Sequence, residues 1–334
     1  KTNMVYVGAN DGGLHGFDST TGLEQFVYIP NAVFSNLSAL TNRTYIKDGH
    51  KYFVDGSPIV VDVGTDSILV ATTGAGGRAV FALNVSDPAN FTGGNGGDVL
   101  WEYTNTDLGY TIGQPKVGQL KNGEWVVVFG NGYNSNSGLA YLFIVDLNTG
   151  ALVKKISTNS SASNGLTSPS LLLDSTDGRI IAAYAGDALG NMWKFDLSAS
   201  SPTSIPATAL FSGTPLFTAK NSIDQTQPIT SAPAIMRHPN GGYFILFGTG
   251  KYFEVGDHAT SIPTQSFYGV WDTATWDAIN GWQGGATITA TGSNRESILL
   301  RQQITNKVTT LGNTWRVVTN NAIDWSTQRG WYLD

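Results

Sequence analysis

A unit of four short apolar runs recurs along this chain, and no other feature narrows the possible folds as much. The hairpin Ile180–Leu197 shows it in miniature: an apolar run ends at Gly186, a Gly/Asp/Asn turn follows, and a second run ends at Asp196. Two strands around residues that tolerate tight backbone geometry are the signature of an antiparallel pair. The full unit is clearest over 57–103, with runs Ile59–Val63, Ile68–Thr73, Ala79–Val85 and Val99–Tyr103. A second copy has Lys116–Leu120, Trp125–Phe129, Ala140–Leu147 and Leu152–Ile156. A third has Leu171–Leu173, Ile180–Ala185, Met192–Leu197 and Leu216–Ala219. A fourth has Ala234–Arg237, Tyr243–Phe247 and Ser266–Trp271. Val5–Gly8, Leu14–Asp18 and Glu24–Tyr28 read as the last three strands of one more copy.

Two anchors hold the register. A proline opens the first strand at 58, 115, 169 and 233, and a glycine closes the second at 8, 74, 130, 186 and 248. Proline suits a strand opening because its missing N–H costs least there. The third strand leaves through short Asp turns such as Asp18–Gly22 and Asp146–Gly150. Four-strand repeats that cannot bury both faces alone stack as blades. The expected fold is therefore an irregular all-β propeller of four-stranded antiparallel blades, one domain over 1–334. Five copies are recognisable and the tail after Arg295 supplies strands for a sixth, which gives six or seven blades with the last incomplete. Segments 31–51 and 273–294 break the pattern and read as insertions, where function often sits.

Composition excludes several functions. Only 13% of the residues are charged and the net charge is −6, with 19 scattered basic residues, so a phosphate-binding surface has no support. There is no cysteine, hence no disulfide, thiolate nucleophile or Cys-type metal site. No apolar run approaches the roughly 20 residues needed to span a bilayer. The four histidines, His15, His50, His238 and His258, lack metal-site spacing, and no P-loop or nucleophile elbow occurs. Asp187, just after Gly186, reads as a turn cap.

Several long runs resemble the PilY/PilC family of type IV pilus-associated tip and biogenesis proteins. They are V-Y-V-G-A-N-D-G-G-L-H-G-F-D (5–18), F-V-D-G-S-P (53–58), G-A-G-G-R-A-V-F-A-L (74–83), D-L-G-Y-T-I-G-Q-P (107–115), Y-A-G-D-A-L-G-N-M-W-K-F-D-L-S (184–198), G-G-Y-F-I-L-F-G-T-G-K-Y (241–252), Q-S-F-Y-G-V-W-D (265–272) and R-G-W-Y-L-D (329–334). The resemblance implies a C-terminal β-propeller, with a variable N-terminal region that is not in this chain and a further blade after a segment like 329–334; the chain then reads as a fragment. It also implies a place at the pilus tip or outer membrane of a Gram-negative bacterium. There the expected work is non-catalytic: pilus assembly, retraction control, twitching motility and surface adhesion, with minor pilins or the pilus machinery and a host-surface ligand as partners. A glycan- or host-receptor-binding adhesin head is the first alternative. A quinoprotein-like dehydrogenase propeller is the second, set against the lack of any cofactor motif.

Two candidate sites follow. The family often carries D-x-[DN]-x-D-G-x-x-D just before the Y-A-G-D run, a spacing that would aim oxygen ligands at Ca²⁺. In this chain the equivalent stretch starts at Leu173 and ends at Ile181, which leaves Asp174 and Asp177 as ligands of a degenerate calcium loop. Calcium is the one cofactor considered, and an ordinary strand-to-strand turn is the competing reading. The second candidate is Trp276 with Trp282, aromatics in a Gly-rich insertion that could stack on a sugar, against the commoner role of tryptophan as packing.

Overall fold

The computed structural model describes residues 3–45, 49–93, 98–160, 163–254, 256–258 and 262–334. The chain divides into two compact units, Lys1–Ala183 with Asp196–Thr208, and Tyr184–Phe195 with Ala209–Asp334. In the first unit, β1 (Met4–Gly8), β2 (Leu14–Asp18) and β3 (Glu24–Tyr28) form a three-stranded antiparallel sheet. Next come β4 (Ile59–Val63), β5 (Asp66–Thr72), β6 (Val80–Asn84) and β7 (Val99–Tyr103), paired in chain order. A third sheet joins β8 (Lys116–Gln119), β9 (Trp125–Gly130), β10 (Tyr141–Asp146) and β11 (Leu152–Ser157) in the same way. The insertion at 31–51 begins with a 3-10 helix, Asn31–Thr41, and its residues 46–48 lie outside the described residues.

A fourth sheet has the order β12 (Leu166–Leu173), β13 (Ile180–Asp187), β14 (Asn191–Asp196), β15 (Phe217–Thr218), and the division into units runs through its central hairpin. Pro169 does not open β12 but sits inside it. It is tolerated because β12 is the edge strand and its outer N–H positions owe no ladder bond.

The second unit continues with β16 (Ala234–Arg237), β17 (Tyr243–Gly248) and β18 (Phe267–Asp272). A small hairpin pairs β19 (Thr275–Asp277) with β20 (Gly281–Gln283). Then come β21 (Leu300–Gln302), an exposed hairpin of β22 (Ile304–Thr310) and β23 (Asn313–Val318), and finally β24 (Gly330–Leu333). Among the described residues the tail builds a two-stranded sheet of its own, β22 with β23, but no four-stranded one. β24 pairs antiparallel with β18, bringing Tyr268 opposite Tyr332 and Gly269 opposite Trp331, and β21 lies parallel on its far side. The fourth copy thus receives its missing fourth strand from the end of the chain.

The repeat's apolar runs have a direct physical cause. Along β5, Ile68 and Val70 enter one buried cluster with Val80, Ala82, Val127, Phe129, Phe143 and Val145. Their neighbours Leu69 and Ala71 enter another with Leu14, Phe26, Phe81 and Leu83. Side chains alternate across a strand, so a strand covered on both faces must be apolar at every position. β1 instead alternates half-buried and exposed residues, with Val5 and Val7 exposed.

The glycine and proline anchors belong to one device. Four residues before Pro58, Val54 lays its carbonyl so close to Gly8 that a Cβ there would sit 2.4 Å from it. The start of β12 likewise crosses Gly130, where a Cβ would stand 2.2 Å from the Thr167 carbonyl oxygen. Any larger residue would push the crossing chain off the sheet it follows.

Candidate functional site

The turn holding Asp174 and Asp177 has two plain counterparts in the first unit. In Asp18–Gly22, one Asp18 carboxylate oxygen accepts the Thr20 and Thr21 N–H groups at 2.8 and 2.9 Å, and Gly22 N–H reaches the Asp18 carbonyl at 2.8 Å. In Asp146–Gly150, Oδ1 accepts the Thr149 N–H at 2.8 Å and its hydroxyl at 2.7 Å, and Gly150 N–H reaches the Asp146 carbonyl at 2.9 Å. Asp174–Gly178 repeats this arrangement: Oδ1 accepts the Thr176 N–H at 2.9 Å and hydroxyl at 2.8 Å, and Gly178 N–H reaches the Asp174 carbonyl at 2.8 Å. The closing glycine has φ of 72°, 69° and 71° in the three turns, a left-handed conformation that disfavours side chains. One Asp174 oxygen is thereby committed to its own turn.

The other oxygen meets a lysine from the β8–β9 turn. Lys121 Nζ donates to Asp174 Oδ2 at 2.6 Å and to Asp177 Oδ2 at 2.9 Å. Asp177 Oδ1 also accepts the Arg179 N–H at 3.0 Å, and Arg179 Nη1 donates to the Lys121 carbonyl at 2.7 Å. Side-chain exposure is 15% for Lys121, 3% for Asp174 and 37% for Asp177. The Arg179 N–H and then the Lys121 ammonium hold the Asp177 carboxyl below its ordinary range. Partial burial pushes the Lys121 ammonium down, but its bonds to the two carboxylates push it further up.

The tryptophan pair belongs to the second unit. β19 and β20 place Trp276 opposite Trp282 with ring centres 5.5 Å apart. Trp282 in turn lies against a buried charge, with Lys194 Nζ 3.6 Å from its ring centre. That ammonium donates to Asp272 Oδ2 at 2.7 Å, and the Tyr184 hydroxyl donates to the same oxygen at 2.7 Å. Asp272 Oδ1 accepts the Ala274 N–H at 3.0 Å. Lys194 and Asp272 have side-chain exposures of 1% and 0%. Burial and then the Asp272 charge raise the Tyr184 hydroxyl well above its ordinary value, so it donates at every physiological pH.

Asp187 is fully buried, and its carboxylate accepts hydrogen bonds from the N–H groups of Leu189 and Asn191, the Asn191 amide at 2.9 Å and the Trp193 indole at 2.7 Å. Among the described residues, no group of three or more His, Cys, Asp or Glu side chains is placed to hold a metal ion. Local sequence pattern does not mark Lys121, which lies in a short β8–β9 turn, or the pairing of Lys194 with Asp272. A charge inside the apolar run Met192-Trp193-Lys194-Phe195 was the available signal, since buried lysine needs a partner.

Residues 1–311 match the profile of the PilY1 beta-propeller domain. The chain is 41% identical over 365 residues to a type IV pilus biogenesis factor PilY1 of Pseudomonas aeruginosa, with all of the chain covered but 30% of that protein. It is 37% identical to a PilY1 homolog of Xylella fastidiosa, covering 99% of the chain and 22% of the relative. The chain thus spans less than a third of the length of these relatives. The crystal structure of the Pseudomonas aeruginosa PilY1 C-terminal domain is similar over the whole chain and 71% of that domain, with a TM-score of 0.81 at 36% identity.

Proposed function

The chain belongs to the PilY1 β-propeller family, and from that footing we propose that it is the propeller part of a type IV pilus biogenesis factor, acting as a non-catalytic scaffold. The observation that carries this reading is the likeness from end to end, in sequence and in fold, to a pilus biogenesis factor. Its partners would be minor pilins or other parts of the pilus machinery, at the cell surface or pilus tip.

The site geometry supports a scaffold over an enzyme. Asp187, Asp272 and Asp174 are buried, and each accepts hydrogen bonds from internal donors on both carboxylate oxygens, which supports structural roles for them. The contact of Trp282 with Lys194 supports packing for that ring rather than sugar stacking. In-frame deletion of the segment encoding this chain should abolish surface pili and twitching while the rest of the protein is still exported. Wild-type piliation in that strain would count against the reading.

A further inference from the structure

The calcium expectation at Asp174 and Asp177 can be tested against the donors present. Ca²⁺ takes 6–8 oxygen ligands, several of them carboxylate. Here the first and last acidic positions of the pattern are Leu173 and Ile181. Asp174 Oδ1 is engaged by Thr176, its Oδ2 by Lys121, and both Asp177 oxygens lie within hydrogen-bond reach of Lys121, at 3.1 and 2.9 Å. A divalent ion would have to displace a lysine already bound by both carboxylates, and would then hold two side-chain anions. The residues do not fit calcium.

We infer that the ammonium of Lys121 is the resident cation of this loop, and that the Asp174–Asp177 turn is a metal-free ionic staple between two neighbouring sheets. The lysine comes from the β8–β9 turn and the carboxylates from the β12–β13 turn. Arg179 doubles the link by reaching back to the Lys121 carbonyl at 2.7 Å. The surroundings match this role: Gly118 of β8 lies against Ile180 of β13 and Leu171 of β12, so the same two sheets are in apolar contact next to the staple. A lysine is a permanent ligand. A loop closed by one keeps a single conformation whatever the calcium concentration, whereas a loop closed by Ca²⁺ changes with it. The inference concerns only how the loop is held, and it stands or falls apart from the pilus reading.

The test is thermal melting and calorimetric titration of the full chain, with CaCl₂ up to about 5 mM, above the usual range of weak extracellular sites, and with EDTA. Wild type should show no saturable heat and the same melting temperature in both conditions. Lys121→Met should lower the melting temperature by roughly 3–5 °C, because it strands the buried Asp174 charge. Adding Asp174→Asn to that variant should restore part of the loss, since asparagine keeps the turn acceptor and removes the stranded charge. Saturable calcium heat with a rise in the wild-type melting temperature would overturn the inference. So would a double variant whose loss is the sum of the two single losses.

Discussion

Two lysine–aspartate clusters, one in each unit, use the same residue types to different ends. Lys194 and Asp272 are sealed, with 1% and 0% of their side chains exposed, and Tyr184, Trp282 and the Ala274 N–H make further contacts with them. Lys121 sits at the edge of solvent, 15% exposed, between one buried and one exposed carboxylate. Coulomb attraction grows as the surroundings become less polar, but so does the cost of removing each charge from water. The sealed pair therefore contributes little net stability while making the loss of either partner severe. The rim cluster contributes modestly and answers to pH and salt. Burial, more than the identity of the pair, decides whether a charge specifies the core or fastens a seam.

Breaking the sealed pair should have the largest effect. Lys194→Met leaves Asp272 buried without its cation and should cost about 3–5 kcal/mol in denaturant unfolding. Lys194→Met with Asp272→Leu should regain much of that, though not all, because the Tyr184 hydroxyl and Ala274 N–H lose their acceptor. A loss below about 1 kcal/mol for the single change would mean the site admits water, and the contrast between the clusters would collapse.

The tryptophans sharpen the same contrast. Trp282→Ala removes both packing area and the ring under a desolvated ammonium, and should cost about 2–4 kcal/mol. Trp276→Ala leaves Lys194 covered and should cost about 1 kcal/mol. Equal losses for the two would place Trp276 and Trp282 together as ordinary hairpin packing.

The strands of the repeat were legible because residues in β5 and β6 are covered on both faces and must be apolar without a break. The glycine and proline anchors were legible as a pattern, and the structure supplies their cause in the chain that crosses Gly8 before Pro58 and Gly130 at the start of β12. Pairing at long range was not legible. Lys121 and Asp174 are 53 residues apart and Lys194 and Asp272 are 78 apart, and local patterning does not encode which charge meets which. The closing strand β24 was misassigned for the same reason, since the insertion separates it from β18. The turn geometry of the candidate site, by contrast, has a local signature. Asp174-Ser-Thr-Asp-Gly178 has the same Asp and Gly positions as Asp18–Gly22 and Asp146–Gly150, which pointed to a shared turn geometry.

The effect most specific to the rim cluster lies in the pH dependence of Lys121→Met. At neutral pH the wild type should exceed this variant by about 2 kcal/mol. The Asp177 carboxyl is held below 3.8 in the fold, so its share is present above that value and is lost as pH falls through the depressed folded pKa. The Lys121 ammonium is held above 10.5, so its share is complete below that value and is lost only as pH rises through the raised folded pKa. The difference between wild type and variant should therefore stay level from about pH 5 to pH 10 and shrink toward both extremes. Salt at about 1 M should reduce it, because Asp177 faces solvent, while leaving the Lys194→Met difference nearly unchanged. Urea unfolding of both variants across that pH and salt range separates the cases. If the Lys121 difference ignored acid and salt, the lysine would be acting through its apolar stem rather than as a cation.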